Sequence, residues 1–148
     1  MALRHLFYII LIMATLSLAS YNSHGHGAGR WEYIQKLSKQ SDIILQQEHW
    51  LFEKQIDSIT DHVEGIGVVG VSGMNETELV YGRPYGGCAI LWNKKINFKM
   101  TPIEFHSKRV CGIICESKDS TIFIINVYMP CDTLRDNENS KEYNDILI

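Results

Sequence analysis

The sequence has no Cys-x-x-Cys pair, no internal repeat, no low-complexity tract and no block of like charge. Its four cysteines, Cys88, Cys111, Cys115 and Cys131, therefore lack the spacing of a structural zinc site. Cys111 and Cys115 fall in one predicted strand, where four residue steps put them roughly 13 Å apart, beyond disulfide reach. Bridges to Cys88 or Cys131 stay open, and buried free thiols are the simpler expectation. Positive charge is scarce as well. Lys and Arg number 14 against 17 Asp and Glu, a net charge of -3. A protein that coats nucleic acid takes most of its affinity from neutralising phosphates, so this balance argues against sequence-independent coating. It leaves room for an enzyme that grips a few phosphates and adds a divalent cation.

What is present points to a folded domain. Hydrophobic residues make up 45% and charged residues 21% of 148, enough for one domain with a sizeable core but hardly two. Arg4 and His5 precede an apolar run over residues 6–16, and Ser17-Leu18-Ala19 is similar to a small-residue cleavage site, which together make a secretory signal pattern. The run is too short and too close to a polar turn to span a membrane. The competing reading is an apolar leader over residues 1–15 and a buried first strand over 16–21. The sequon Asn75-Glu76-Thr77 matters only if the chain is secreted.

Along the rest of the chain, Gly25 to Gly29, flanked by His24 and containing His26, predicts a polar turn. Trp31, Ile34 and Leu37 recur at three-residue spacing and predict a helix over 30–40. Residues 42–47 form a short buried-strand run, and a helical turn is expected over 51–59. The pattern then turns to β, with strands over 65–71, 86–92, 97–105, 110–115 and 121–127. Pro102 puts the third of these at a sheet edge. The last two bracket Lys118-Asp119-Ser120 and predict an antiparallel hairpin. Residues 132–148 read as a polar tail, weakly helical from Ser140. This order implies an α/β (α+β) domain with helices on an outer face and mainly antiparallel sheet.

Three polar residues stand at the ends of apolar strands: Asn22, Glu48 and Tyr128. Strand ends that open on loops are where sites are commonly built. A carboxylate and an amide oxygen are hard ligands suited to Mg²⁺, which keeps several waters and binds one or two carboxylates plus substrate phosphate. A phenol can hydrogen-bond a phosphate oxygen. Each residue also has a plain reading, as turn, solvated carboxylate or core cap. His24-Gly25-His26 could be a metal-binding pair, but a Gly-rich loop is poorly preorganised, and an ordinary loop is expected. His49 is expected to pack behind Glu48 rather than to react.

In combination these residues resemble a known family. Ser20-Tyr21-Asn22, the helix and Ile43-Ile44-Leu45-Gln46-Gln47-Glu48-His49-Trp50 are similar to the opening of the endonuclease/exonuclease/phosphatase superfamily, which includes apurinic endonucleases and pancreatic-type deoxyribonuclease. Gly86-Gly87-Cys88-Ala89-Ile90-Leu91-Trp92 resembles its glycine-pair strand, and Arg109-Val110 with Ile125-Asn126-Val127-Tyr128-Met129-Pro130 resembles its N-V-Y-x-P strand. The nearest flavour is the endonuclease domain of LINE-type, non-LTR retrotransposons. The resemblance implies a partial domain over residues 16–131 with an incomplete four-layer α/β sandwich. It implies Asn22 and Tyr128 as active-site residues, Glu48 as the Mg²⁺ ligand and Arg109 as a weaker candidate for phosphate contact. The partner implied is DNA or another phosphoester.

The sequence departs from the family after Pro130. The G-D-x-N strand and the closing Asp-His pair have no match: Asp132, Asp136 and Asp145 lie in polar context, and no histidine follows His106. The leading expectation is thus a retrotransposon-derived, truncated endonuclease-like chain, inactive alone. A secreted, non-enzymatic module and a non-functional gene fragment are the alternatives. Cleavage after Ala19 would remove most of the first predicted strand, which favours an intracellular, nuclear location over secretion.

Overall fold

A computed structural model describes residues 16–75, 77, 84–130 and 144. Strand β1 (Leu18–Asn22) leads through helix α1 (Arg30–Ser38) to β2 (Ile43–Gln47), and the two strands pair in parallel with Asn22 opposite Gln47. A 3-10 segment (Glu53–Ser58) runs into the short helix α2 (Ile59–His62). Strands β3 (Ile66–Val71) and β4 (Cys88–Asn93) complete a four-stranded sheet in the order β1-β2-β4-β3, with β4 antiparallel to both neighbours. Strands β5 (Lys99–Ile103), β6 (Val110–Glu116) and β7 (Thr121–Val127) form a second, wholly antiparallel sheet in that order.

The expected hairpin is β6–β7, closed by Ser117 N–H donating to the Ser120 carbonyl at 2.8 Å. Pro102 lies on the edge strand β5, as its missing N–H requires. Several boundaries shift for visible reasons. β1 starts at Leu18 rather than 16, and β2 at Ile43 rather than 42. The cause is a local clasp: the Ser17 N–H and hydroxyl both donate to the Asp42 carboxylate, at 2.8 and 2.7 Å. β4 starts at Cys88 rather than 86, because Gly86 and Gly87 have φ of +66° and +83°, outside the extended region. α1 ends at Ser38 rather than 40: the Lys39 and Gln40 N–H groups reach back only three residues, to Lys36 and Leu37. β1 is an edge strand with Leu18 51% exposed, not the core strand expected of residues 16–21. The expected polar tail and Cys131 fall outside the described residues.

Alternation along the first sheet divides the core in two. On one face Ile44, Ile66, Ala89 and Leu91 pack beneath Ile34 of α1 and Ile56, Ile59 and Val63 of the 3-10 and α2 region. On the other face Ile43, Cys88 and Ile90 meet Cys111, Ile113 and Cys115 of β6 and Ile124 of β7. The result is an α+β sandwich with helices, first sheet and second sheet stacked in that order. Cys88, Cys111 and Cys115 are buried free thiols. The outer face of the second sheet carries Phe123, Ile125 and Val127, all exposed. Among the described residues no helix is long and apolar enough to cross a membrane.

The Asn126 side chain crosses the gap between the sheets. Asn126 on β7 is buried, and its amide donates to the Gln46 carbonyl of β2 at 2.8 Å and the Ala89 carbonyl of β4 at 2.9 Å. Its oxygen accepts from the Gln47 side-chain amide at 2.7 Å. A buried amide is tolerated only when so satisfied. Asn126→Ala removes three hydrogen bonds to the first sheet and leaves a cavity, and the expected loss is about 3 kcal/mol, read from urea unfolding. A loss below about 1 kcal/mol would show that the sheets hold together without it.

Two imidazoles are packed in neutral form. His49 is fully buried, its Nε2 on the Val71 carbonyl and its Nδ1 accepting the Leu51 N–H. His26 stacks face to face on Trp31 at 3.8 Å. Burial is the chief reason that both are lowered to about 4. In the unfolded chain each takes up a proton near the ordinary value of about 6.5, while the folded form resists it until about 4. Stability is therefore full above about pH 6.5 and falls as the pH drops toward 4. The urea midpoint should already decline between pH 6.5 and 5, above the range where carboxylates titrate. A flat midpoint across that interval would refute the neutral packing.

Candidate active site

Because β1 and β2 are parallel neighbours, their carboxyl ends open on the same side, and β7 brings its own carboxyl end to the same place. Asn22 is the last residue of β1, Glu48 follows β2, and Tyr128 follows β7. The Glu48 carboxylate is where they meet. Its Oε1 accepts from the Asn22 amide at 2.9 Å and from the Tyr128 hydroxyl at 2.6 Å. Its Oε2 lies 3.0 Å from His24 Nδ1. Asn22 is oriented by its other end, since its Oδ1 accepts the His24 backbone N–H.

The loops after β1 and β2 are held in an unusual shape. His24, Glu48 and Trp50 have φ of 48°, 54° and 58°, the only positive values outside glycine among the described residues. Each costs about 1 kcal/mol or more, and such strain persists only where neighbours over-determine it. Here the neighbours are explicit. Glu48 N–H donates to the Gly87 carbonyl at 2.8 Å, Trp50 N–H to the Gly86 carbonyl at 3.1 Å, and Gly25 N–H to the Glu48 carbonyl at 2.7 Å. Gly87 is required twice over: its φ is positive, and a Cβ there would stand 2.4 Å from the His49 ring.

Glu48 is 17% exposed in its side chain. Burial, the largest single influence, pushes its pKa up. Hydrogen bonds from Asn22, Tyr128 and His24 and the charge interaction with His24 together outweigh burial and hold the carboxyl at about 2. It is thus an anion throughout the neutral range. An ionised carboxylate has roughly four acceptor sites, and three are taken, two on Oε1 and one on Oε2. What remains suits a single, monodentate bond to a hydrated divalent cation such as Mg²⁺, which uses one or two carboxylates and keeps its waters. Among the described residues no group of three or more His, Cys, Asp or Glu converges. The described residues' share of such an ion is therefore small.

Arg109 precedes β6 and is joined to the site through Tyr128. Its carbonyl accepts the Tyr128 N–H at 2.9 Å, and its guanidinium carbon lies 5.8 Å from the centre of the Tyr128 ring. Asp132, Asp136 and Asp145 lie outside the described residues. His49 packs behind the loop, as expected. The loop of His24 and His26 is not an ordinary one: the two rings diverge, His24 to Glu48 and Trp50, His26 to Trp31 and Gln46. His24 and Asn126 are the members of this network that sequence reasoning did not assign. A histidine two residues after the strand-end asparagine was the available signal for the first. For the second there was only an amide in an otherwise apolar strand.

No family model matches the chain, and a search of curated proteins finds no match. Solved structures do match. The endonuclease domain of a telomere-specific non-LTR retrotransposon is 12% identical over 90% of this chain and 54% of that one, with a TM-score of 0.56. An AP endonuclease from Archaeoglobus fulgidus is 18% identical over 90% of this chain and 48% of that one, TM-score 0.58. A mannosyl-6-phosphatase from Bacteroides thetaiotaomicron is 18% identical over 90% and 57%, TM-score 0.59. The chain thus spans about half the length of the structures it resembles.

Tyr128→Phe removes one donor from Glu48 while keeping the ring. The Glu48 pKa should then rise by about one unit, read by carbon-13 NMR titration of the glutamate carboxyls, with unfolding stability changed by less than about 1.5 kcal/mol. An unmoved Glu48 titration would mean that the phenol does not hold the carboxylate in solution.

Proposed function

We propose that this chain, whose fold is that of the endonuclease/exonuclease/phosphatase superfamily, carries the cation- and phosphate-binding half of a phosphodiesterase site that acts on DNA or a related phosphoester. The observation that carries the proposal is the Glu48 carboxylate, anionic and fixed by Asn22, Tyr128 and His24 at the converging ends of β1, β2 and β7. An evolved structural ion pair would pair the carboxylate with a cation and close the site. Here it is held mostly by neutral donors, with one acceptor site to spare and His24 half-exposed beside it.

Each residue then has a defined task. Glu48 holds the cation. Asn22 and Tyr128 keep the carboxylate in one rotamer and depress its pKa, so that it binds without first losing a proton. Once a phosphate is present, the single Tyr128 hydroxyl proton can turn from Glu48 to one of its oxygens, and Arg109 beside the Tyr128 ring adds positive charge. A bound Mg²⁺ would stabilise charge on the phosphate and the leaving oxygen. Neutral donors and a net charge of -3 give DNA little long-range attraction, so recognition rests on this short-range geometry.

Among the described residues no second carboxylate joins Glu48 and His24, so we expect the chain alone to bind Mg²⁺ weakly and to nick DNA at a background rate. Groups that act as a unit lose nearly everything when one part is missing. The measurement is Mg²⁺ binding by isothermal titration together with nicking of supercoiled plasmid, for the chain and its Glu48→Gln variant. Weak binding that Glu48→Gln abolishes supports the site. Binding that Glu48→Gln leaves intact places the cation elsewhere and ends this reading. Robust nicking that Glu48→Gln removes would show that water is activated within the chain, and would contradict its being half of a site.

A further inference from the structure

We propose that His24 is a second ligand to the cation at Glu48, and that the His24–Glu48 pair selects a first-row transition-metal dication over Mg²⁺. The inference rests on the reading of Glu48 as a cation-binding carboxylate and extends it to the identity of the metal.

The geometry comes first. His24 Nδ1 and Glu48 Oε2 are 3.0 Å apart. In an octahedral ion with bonds of about 2.1 Å, adjacent ligand atoms are separated by the same bond length times √2, about 3.0 Å. The two atoms therefore already stand at the spacing of neighbouring ligands, and Oε2 is the oxygen with an acceptor site to spare. Only the proton shared between them has to give way to the ion.

The histidine is also fixed before any ion arrives. Its backbone sits in the left-handed region at φ 48°, its N–H donates to Asn22 Oδ1 at 3.1 Å, and its carbonyl accepts from the Arg30 guanidinium. Its ring lies against Trp50, centroids 4.6 Å apart. Trp50 in turn is seated by Gly25, where a Cβ would fall 2.3 Å from the indole. The His24 side chain is 53% exposed, which leaves the pair open to solvent.

Chemistry decides which ion. Imidazole nitrogen is a good ligand for Zn²⁺, Ni²⁺ and Fe²⁺ and a poor one for Mg²⁺, which prefers oxygen throughout. A mixed nitrogen–oxygen edge therefore raises affinity along the series from Mn²⁺ to Ni²⁺ while leaving Mg²⁺ with the carboxylate alone. Since no third His, Cys, Asp or Glu joins the pair among the described residues, the remaining positions stay with water and are open to a phosphate oxygen.

The test titrates the full chain with Co²⁺ and with Mg²⁺ by calorimetry, and follows the histidine ring protons by NMR as Co²⁺ is added. The comparison is with His24→Asn, which keeps a side-chain donor for Glu48 but lacks the imidazole, and with Glu48→Gln; far-UV circular dichroism checks that each variant folds. Expected are Co²⁺ bound at least tenfold more tightly than Mg²⁺, paramagnetic shifts on His24, and a preference that falls roughly tenfold in His24→Asn while Mg²⁺ affinity stays within about threefold. Equal losses for both cations in His24→Asn would mean that the ring serves only as a hydrogen-bond partner, and would overturn the inference alone. A Co²⁺ preference untouched by His24→Asn but removed by Glu48→Gln would do the same. Failure of both cations to bind the unaltered chain would overturn this inference and the proposed function together.

Discussion

The Asn126 side chain is the one contact on which the rest of the architecture turns. Two stacked sheets with apolar inner faces can slide over each other at little cost, because dispersion has no preferred register. A buried amide with three hydrogen bonds to fixed backbone and side-chain groups does have one. Asn126 reaches the Gln46 and Ala89 carbonyls on two adjacent strands of the first sheet, so it sets both the lateral position and the height of β7 above them. Tyr128 is two residues further along, just past the end of β7, where the strand's direction still governs its position. Its 2.6 Å bond to Glu48 is a consequence of that registration.

Around Glu48 the chain spends stability to obtain a charge in a defined place. Burial works against the carboxylate, and three donors overcome it. The backbone contributes by adopting left-handed φ at His24, Glu48 and Trp50, which turns the side chains of two adjacent strand ends toward each other. The paired carbonyls of Gly86 and Gly87 hold that shape from below. The glycine pair ahead of β4 is thus part of the site, although neither residue has a side chain to offer.

Much of this was legible in the order of residues. The strand ends at Asn22, Glu48 and Tyr128 stood out because each is a polar group closing an apolar run, and the hairpin of β6 and β7 because two such runs flank a polar turn. The motifs that resemble the superfamily carried the fold. What escaped was local in origin but tertiary in cause. The Ser17–Asp42 clasp trims β1 and β2, yet neither residue type announces a partner 25 positions away. β1 was read as a core strand from its composition, whereas its position at the sheet edge follows from pairing that composition does not encode. His24 was read as part of a loop because glycines surround it. One of those glycines, Gly25, makes room for the indole that holds its ring.

The span of sequence between partners has a consequence for synthesis. The contacts from Gln46 to Asn126 and from Glu48 to Tyr128 each join residues 80 apart. At a translation rate of roughly 5–20 residues per second, β2 emerges about 4–16 s before β7 can reach it. Until β6 emerges, Ile43 and later Ile90 lack the strand that covers them, and Asn126 is still missing when it does. The nascent chain is most vulnerable to wrong partners in this window, and the completed carboxylate cluster appears only when the window closes.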